Sequence, residues 1–177
     1  MVADEVRIAK EANPDYTWNK RGQTPIKKKK LEIHQSRAVF GALSTQQGKV
    51  IQHHCKKKKK QTTFLLDRIK QFKEEYYPDI KKKILLLWDN ASCHKSKEVK
   101  QWLKDNPGIV ELDNFPPYSP EMNPIEHVWK VLKKEINHLR GEAPLSEIMQ
   151  ETKHFLNKKT FNYKLFGLKR FQQAPYF

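Results

Sequence analysis

Five consecutive apolar residues, Ile84-Leu85-Leu86-Leu87-Trp88, follow Lys81-Lys82-Lys83 and stop at Asp89-Asn90. A wholly apolar run this short, closed by a polar turn, is the pattern of a central strand buried on both faces. Such a strand needs other strands at its sides and helices over both faces, so the chain is read as α/β. The same pattern puts Asp89 at the carboxyl edge of a central strand, where open α/β sheets present their ligands.

The rest of the sequence supplies the neighbours. Residues 2–8 read as a strand. Residues 13–30 are polar, contain Pro14, Gly22 and Pro25, and read as a loop or irregular hairpin arm. Residues 31–44 and 49–55 read as two strands joined by a turn at Gly48. Thr62 or Thr63 is a candidate helix cap, and Phe64, Leu65, Ile69 and Phe72 recur at helical spacing until Pro78 approaches. A helix over about residues 96–105 is stopped by Asn106-Pro107-Gly108, and a short strand over 109–112 follows. The three prolines between Phe115 and Pro120 exclude a regular helix or a central strand there. Asn123 then caps an amphipathic helix whose apolar face is Ile125, Val128, Trp129, Leu132, Ile136 and Leu139. A further helix over 145–156 follows Pro144, and the tail from Phe161 mixes aromatics with Lys164, Lys169 and Arg170. Three meandering strands followed by alternating helices and strands point to a mixed sheet flanked by helices.

Charge narrows the partners. The 177 residues carry 35 Lys+Arg against 20 Asp+Glu, a formal net charge of +15. A balance this basic suits a polyanion, because lysines and arginines that neutralise phosphates release condensed counterions. No basic amphipathic helix with a clean apolar face is evident and no apolar run reaches the ~18 residues of a membrane span. Nucleic acid is therefore favoured over a membrane. The first residues read as neither a signal nor a transit peptide, which makes a cytosolic location the default. Cys55 and Cys93 form no zinc-ligand spacing and read as ordinary reduced thiols.

Three acidic residues are placed where a site is built. Asp4 lies in the first strand, Asp89 at the end of the apolar strand and Glu126 in the first turn of the long helix. Clustered carboxylates without a basic partner repel, and a divalent cation turns that repulsion into binding. Each residue also has a plainer reading. Asp89-Asn90 makes an ordinary turn after a strand. Glu126, three residues after Asn123, suits a capping box. Asp4, beside Glu5, says little alone.

The wording around two of them is more specific. Leu87-Trp88-Asp89-Asn90-Ala91-Ser92-Cys93-His94-Lys95-Ser96 resembles the second-aspartate motif of mariner-superfamily DDE transposases, in their bacterial insertion-sequence branch. The block from Phe115-Pro116-Pro117-Tyr118-Ser119-Pro120 through Asn123-Pro124-Ile125-Glu126-His127-Val128-Trp129 resembles the same family's third-acid motif. Between Asp89 and Glu126 lie 36 residues, close to the family's gap. Ala3-Asp4-Glu5, with Tyr16-Thr17-Trp18 and Arg21-Gly22-Gln23-Thr24-Pro25 after it, resembles the first-aspartate region. The resemblance runs from about residue 2 to 138.

It implies a ribonuclease-H-like mixed five-stranded sheet, and Asp4, Asp89 and Glu126 as catalytic ligands of Mg²⁺ or Mn²⁺, expected as two ions. It implies DNA strand cleavage and strand transfer in cut-and-paste transposition, on transposon ends and target DNA, by a homodimer on DNA in a prokaryotic, nucleoid-associated setting. Residues 1–140 are expected to form the catalytic domain, with 141–177 a helical extension and basic-aromatic tail packed on it. Asn90 and His94 are expected beside the second aspartate, His94 contacting phosphate, orienting a water or serving only as a polar residue at a helix start. Asn123 and Pro124 are expected to set Glu126 through the cap, Tyr118 to pack the proline-rich loop and Trp129 to belong to the core. Candidate DNA contacts are Arg21, the Lys27–Lys30 run, and Lys56, Lys57, Lys58, Lys59 and Lys60, although a charge run is usually a solvated face. Full-length members carry an N-terminal helix-turn-helix region that this sequence lacks, so recognition of the ends is expected from a separate polypeptide. The competing readings are a catalytically inactive remnant that binds DNA or supports assembly, and a nuclease or resolvase of the same fold.

Overall fold

The computed structural model describes residues 1–11, 20–22, 35–55, 61–89, 91–116 and 119–163. Most of the 13–30 arm, the Lys27–Lys30 and Lys56–Lys60 runs, Asn90, Tyr118 and the tail beyond residue 163 lie outside the described residues.

Among the described residues, five strands form one sheet in the order β3-β2-β1-β4-β5. Strand β1 (Val2–Ala9), β2 (Ser36–Leu43) and β3 (Val50–Cys55) form an antiparallel meander. Strands β4 (Ile84–Trp88) and β5 (Val110–Asn114) add on in parallel beside β1. The expected mixed five-stranded sheet is therefore present, with the apolar strand β4 inside it. At the β2–β3 turn Gly48 has φ +65°, which only glycine adopts without strain. Its carbonyl accepts from the Phe161 amide at 2.8 Å, pinning the chain after the last helix to this hairpin.

Alternation along the strands sends side chains to two separate cores. Ala3, Phe40, Ala42, Leu86 and Trp88 face α1 (Gln61–Tyr76) and α2 (Lys97–Asp105), where they meet Leu65, Leu66, Ile69, Val99 and Trp102. Val2, Val6, Ile8, Val39, Leu43 and Leu87 face α3 (Ile125–Glu135) and α4 (Leu145–Lys158). Helix α4 supplies Ile148, Met149, Phe155 and Leu156 to that second core. No helix among the described residues is long and apolar enough to cross a membrane.

Several boundaries shift for local reasons. Thr62 and Thr63 lie inside helix α1 rather than before it, with Thr62 buried. Ser96 caps α2, its hydroxyl accepting from the Val99 amide at 3.3 Å. Helix α3 buries Ile125, Val128, Trp129 and Leu132, then tightens into a 3₁₀ turn at Ile136–His138, so Ile136 is buried just past the α-helix and Leu139, beyond the turn, is partly buried. Each such large apolar side chain removed from water is worth about 1.5–3 kcal/mol, so this face holds α3 firmly on the sheet.

Candidate active site

The parallel pairing of β1 and β4 matches Val2 with Leu87. Two residues further along each chain come Asp4 and Asp89. Side chains alternate with a period of two, so Asp4 falls on the face that carries Val2, the face under α3, while Asp89 follows the last residue of β4. Glu126 reaches the same region from the first turn of α3.

The N-terminus of α3 is tied to β1. The Asn123 side chain accepts from the Ile125 amide at 3.3 Å and donates to the Ala3 carbonyl at 3.4 Å. Its backbone carbonyl accepts from the Glu126 amide at 3.1 Å. The cap position falls on Pro124, one residue later than expected, while the Asn123 side chain makes the turn that leads into the helix and fixes the helix end one residue from Asp4. The Glu126 side chain lies close enough to the Asp4 carboxylate to raise its pKa. The capping-box alternative does not describe its position.

Asp4 is half-buried, and its pKa is raised from 3.8 to about 6, first by burial and next, among the raising causes, by the negative charge of Glu126. Hydrogen bonds from the Glu5 backbone amide and the Trp129 indole work in the opposite direction. The Trp129 Nε1–H donates to Asp4 Oδ2 at 3.0 Å. Among the described residues, two N–H dipoles act on Asp4 against the raising causes.

Asp89 is held separately. Its Oδ1 accepts from the Ala91 amide at 3.1 Å and from His94 Nε2 at 3.0 Å, and its side chain is 62% exposed. His94 is sandwiched against Trp88 with ring centroids 4.1 Å apart and planes 11° from parallel. Its pKa is lowered, burial outweighing the opposing pull of Asp89. A neutral ring that faces a carboxylate carries its proton on Nε2. His94 therefore stands beside the second aspartate as expected, on a 3₁₀ turn (Ser92–Lys95). Arg21 is exposed beside Gly22, which has φ +90°.

The structure brings Asp4 and Glu126 close together and seats Asp89 just past the end of the neighbouring strand β4, turned to His94. Among the described residues, no three His, Cys, Asp or Glu side chains stand close enough to hold one ion as they are. The donor set still fits a hard divalent cation: all ligand atoms are carboxylate oxygens, and two of the three are crowded like charges. Two participants are not evident from motif reading. Trp129 is core, as expected, at 2% exposure, yet its N–H is spent on Asp4. Gly41, paired with Asp4 across β1 and β2, makes room for that indole. A glycine inside a strand is a signal of close approach, and it is the one clue to this contact in the sequence.

A sheet of this order, with carboxylates at the β1–β4 junction and on the facing helix, defines a ribonuclease-H-like catalytic core. Comparison with known proteins agrees. The Mos1 mariner paired end complex with Mn superposes with a TM-score of 0.69 at 15% identity, over 91% of this chain and 48% of that one. The catalytic domain of Mos1 mariner transposase gives a TM-score of 0.60 at 15% identity, over 91% of this chain and 71% of that one. Among curated proteins, the insertion element IS630 uncharacterized 39 kDa protein of Shigella sonnei is 30% identical over 156 residues, 86% of this chain and 43% of that protein. The transposable element Tcb2 transposase of Caenorhabditis briggsae is 36% identical over 53 residues, 30% of this chain and 19% of that protein. The chain thus spans less than half the length of these curated relatives. A family model described as DDE superfamily endonuclease matches residues 1–147. The chain belongs to that family of DDE endonucleases.

Proposed function

We propose that this domain cleaves DNA strands and transfers the freed ends to new positions, with Asp4, Asp89 and Glu126 as ligands of divalent cations. The observation that supports this is the closeness of Glu126 to Asp4 on β1, the strand next to β4, which Asp89 follows. Mg²⁺ or Mn²⁺ is the proposed cofactor, as two ions, which when bound activate an attacking oxygen and stabilise the leaving one. The chain's own groups prepare the site. Asn123 ties the start of α3 to β1 and so seats Glu126. The Ala91 amide and the neutral His94 ring orient Asp89. Burial and the nearby Glu126 charge disfavour the ionised Asp4, a penalty that a bound cation would relieve.

The substrate proposed is double-stranded DNA, both transposon ends and target. The net charge of +15 suits the phosphate backbone, and Arg21, Asn90, His94 and the Lys56–Lys60 run are its proposed contacts. A homodimer on DNA, with end recognition by a helix-turn-helix polypeptide, completes the proposed assembly. The proposed catalytic domain is residues 1–140, with 141–177 as an extension, and the share of helix α4 in the α3-side core supports its packing there.

The test is nicking of plasmid DNA with Mg²⁺ or Mn²⁺ by the wild type and by Asp89→Asn. Metal-dependent nicking that Asp89→Asn abolishes without unfolding supports the proposal. Equal cleavage by the variant overturns it, and DNA binding without any nicking favours an assembly module instead.

A further inference from the structure

Trp129 has two surroundings. Its ring lies in the α3-side core at 2% exposure, while its donor reaches a carboxylate on the next layer. An indole N–H can only donate, and when buried it must find an acceptor or forfeit the hydration it had. Here the acceptor is Oδ2 of Asp4 at 3.0 Å, 125 residues away in sequence, although backbone carbonyls of the sheet are the commoner choice. The contact is possible because position 41 is glycine. A Cβ there would stand 2.9 Å from Trp129 Cζ2, closer still to Cη2, and 3.4 Å from Ile125 Cδ1. Gly41 is the cross-strand partner of Asp4 in the β1–β2 ladder, so strand register places the gap directly beside the carboxylate.

We propose that Trp129 is a positioning residue of the active site: its indole N–H fixes the Asp4 carboxylate between itself and Glu126, and Gly41 provides the space that lets the ring reach it. A carboxylate on a strand has a free rotation about its last bond. One oxygen tethered by a rigid, buried donor leaves the group oriented before a cation arrives. Groups that orient ligating side chains in this way typically change metal affinity or activity about 10- to 100-fold when removed.

This rests on Asp4 being a metal ligand, and the experiment separates the two ideas. Binding of Mn²⁺ alone is followed by electron paramagnetic resonance for the wild type, for Asp4→Asn, and for protein in which the Trp129 indole is replaced by benzothiophene. That replacement keeps the ring's shape and core packing and deletes only the N–H. The expected result is a benzothiophene protein that melts like the wild type and binds Mn²⁺ about 10- to 100-fold more weakly. Unchanged Mn²⁺ affinity in the benzothiophene protein, with affinity lost in Asp4→Asn, overturns the role of Trp129 and leaves the metal site standing. Unchanged affinity in Asp4→Asn overturns both. Should the benzothiophene protein not fold, the wild-type Trp129 indole ¹⁵N–H resonance gives the answer: it must shift when Mg²⁺ is added and stay still in Asp4→Asn. A resonance indifferent to Mg²⁺ in the wild type overturns the proposal.

Discussion

Asp4→Asn should stabilise the metal-free protein while it destroys the site. In the folded chain the Asp4 pKa is about 6, against 3.8 for an unperturbed aspartate. Its folded value is raised, so the stability it contributes is fully present below about pH 4 and is lost as pH rises through about 6. At neutral pH the ionised group therefore opposes folding. At about 1.4 kcal/mol for each pH unit of that rise, the ceiling is about 3 kcal/mol. Asp4 is only half-buried, and solvent screening reduces the expected gain to about 1–2 kcal/mol. Asparagine keeps an acceptor for the Trp129 N–H and offers an amide donor to Glu126, so the variant loses the repulsion without losing the tether. The assay is urea denaturation of both proteins in EDTA across the acid-to-neutral range. The variant's advantage should be small in acid and reach its plateau above about pH 6. Saturating Mg²⁺ should reverse the order, because a ligand that binds only the folded wild type stabilises it alone. A variant equal to or weaker than wild type at neutral pH in EDTA refutes the reasoning.

The second prediction concerns Gly41→Ala: the added methyl collides with the Trp129 ring, and overpacking of this kind costs about 1–3 kcal/mol, read as a lowered Tm; an unchanged Tm contradicts the packing described. The third concerns His54, whose pKa is lowered to about 4, first by burial and then by the positive charges of Lys153, His53, Arg37 and Arg68. Its sign is opposite to that of Asp4: the unfolded chain takes up the proton first, so His54 weakens the fold in acid and its contribution recovers as pH rises from about 4 to about 6.5. His54→Gln should flatten that part of the stability profile, and an equally steep profile counts against it. Finally, neutralising the five lysines Lys56–Lys60 should weaken DNA binding for all sequences and lower the slope of log affinity against log salt, by up to about 0.9 per lysine in contact with phosphate. An unchanged slope removes that run from the DNA interface.

How much of this was legible in the sequence depended on whether the signal was local. Strand β4 announces itself because it is buried on both faces and needs no partner to be recognised. The start of α3 is legible because Asn123 and Pro124 carry their own helix-start chemistry. The end of α3 is less so: the apolar periodicity continues through Ile136 and Leu139, but the backbone changes to a 3₁₀ turn, which periodicity does not register. In the site, residue chemistry alone left Glu126 equally suited to a capping box, and only the fold directs it to Asp4. Trp129 reads as core because its spacing reports the buried face of its helix and says nothing about where a single N–H points. The stacking of His94 on Trp88 is likewise a consequence of the 3₁₀ turn that folds the chain back after β4.

The most direct test of the central claim is a crystal structure of this domain soaked with Mn²⁺, read by anomalous scattering at the manganese edge. The proposed site predicts a peak bounded by Asp4, Asp89 and Glu126, with the Asp89 carboxylate swung toward Asp4 and away from its present contact with His94. Manganese bound elsewhere, or none at a concentration that supports nicking, contradicts it.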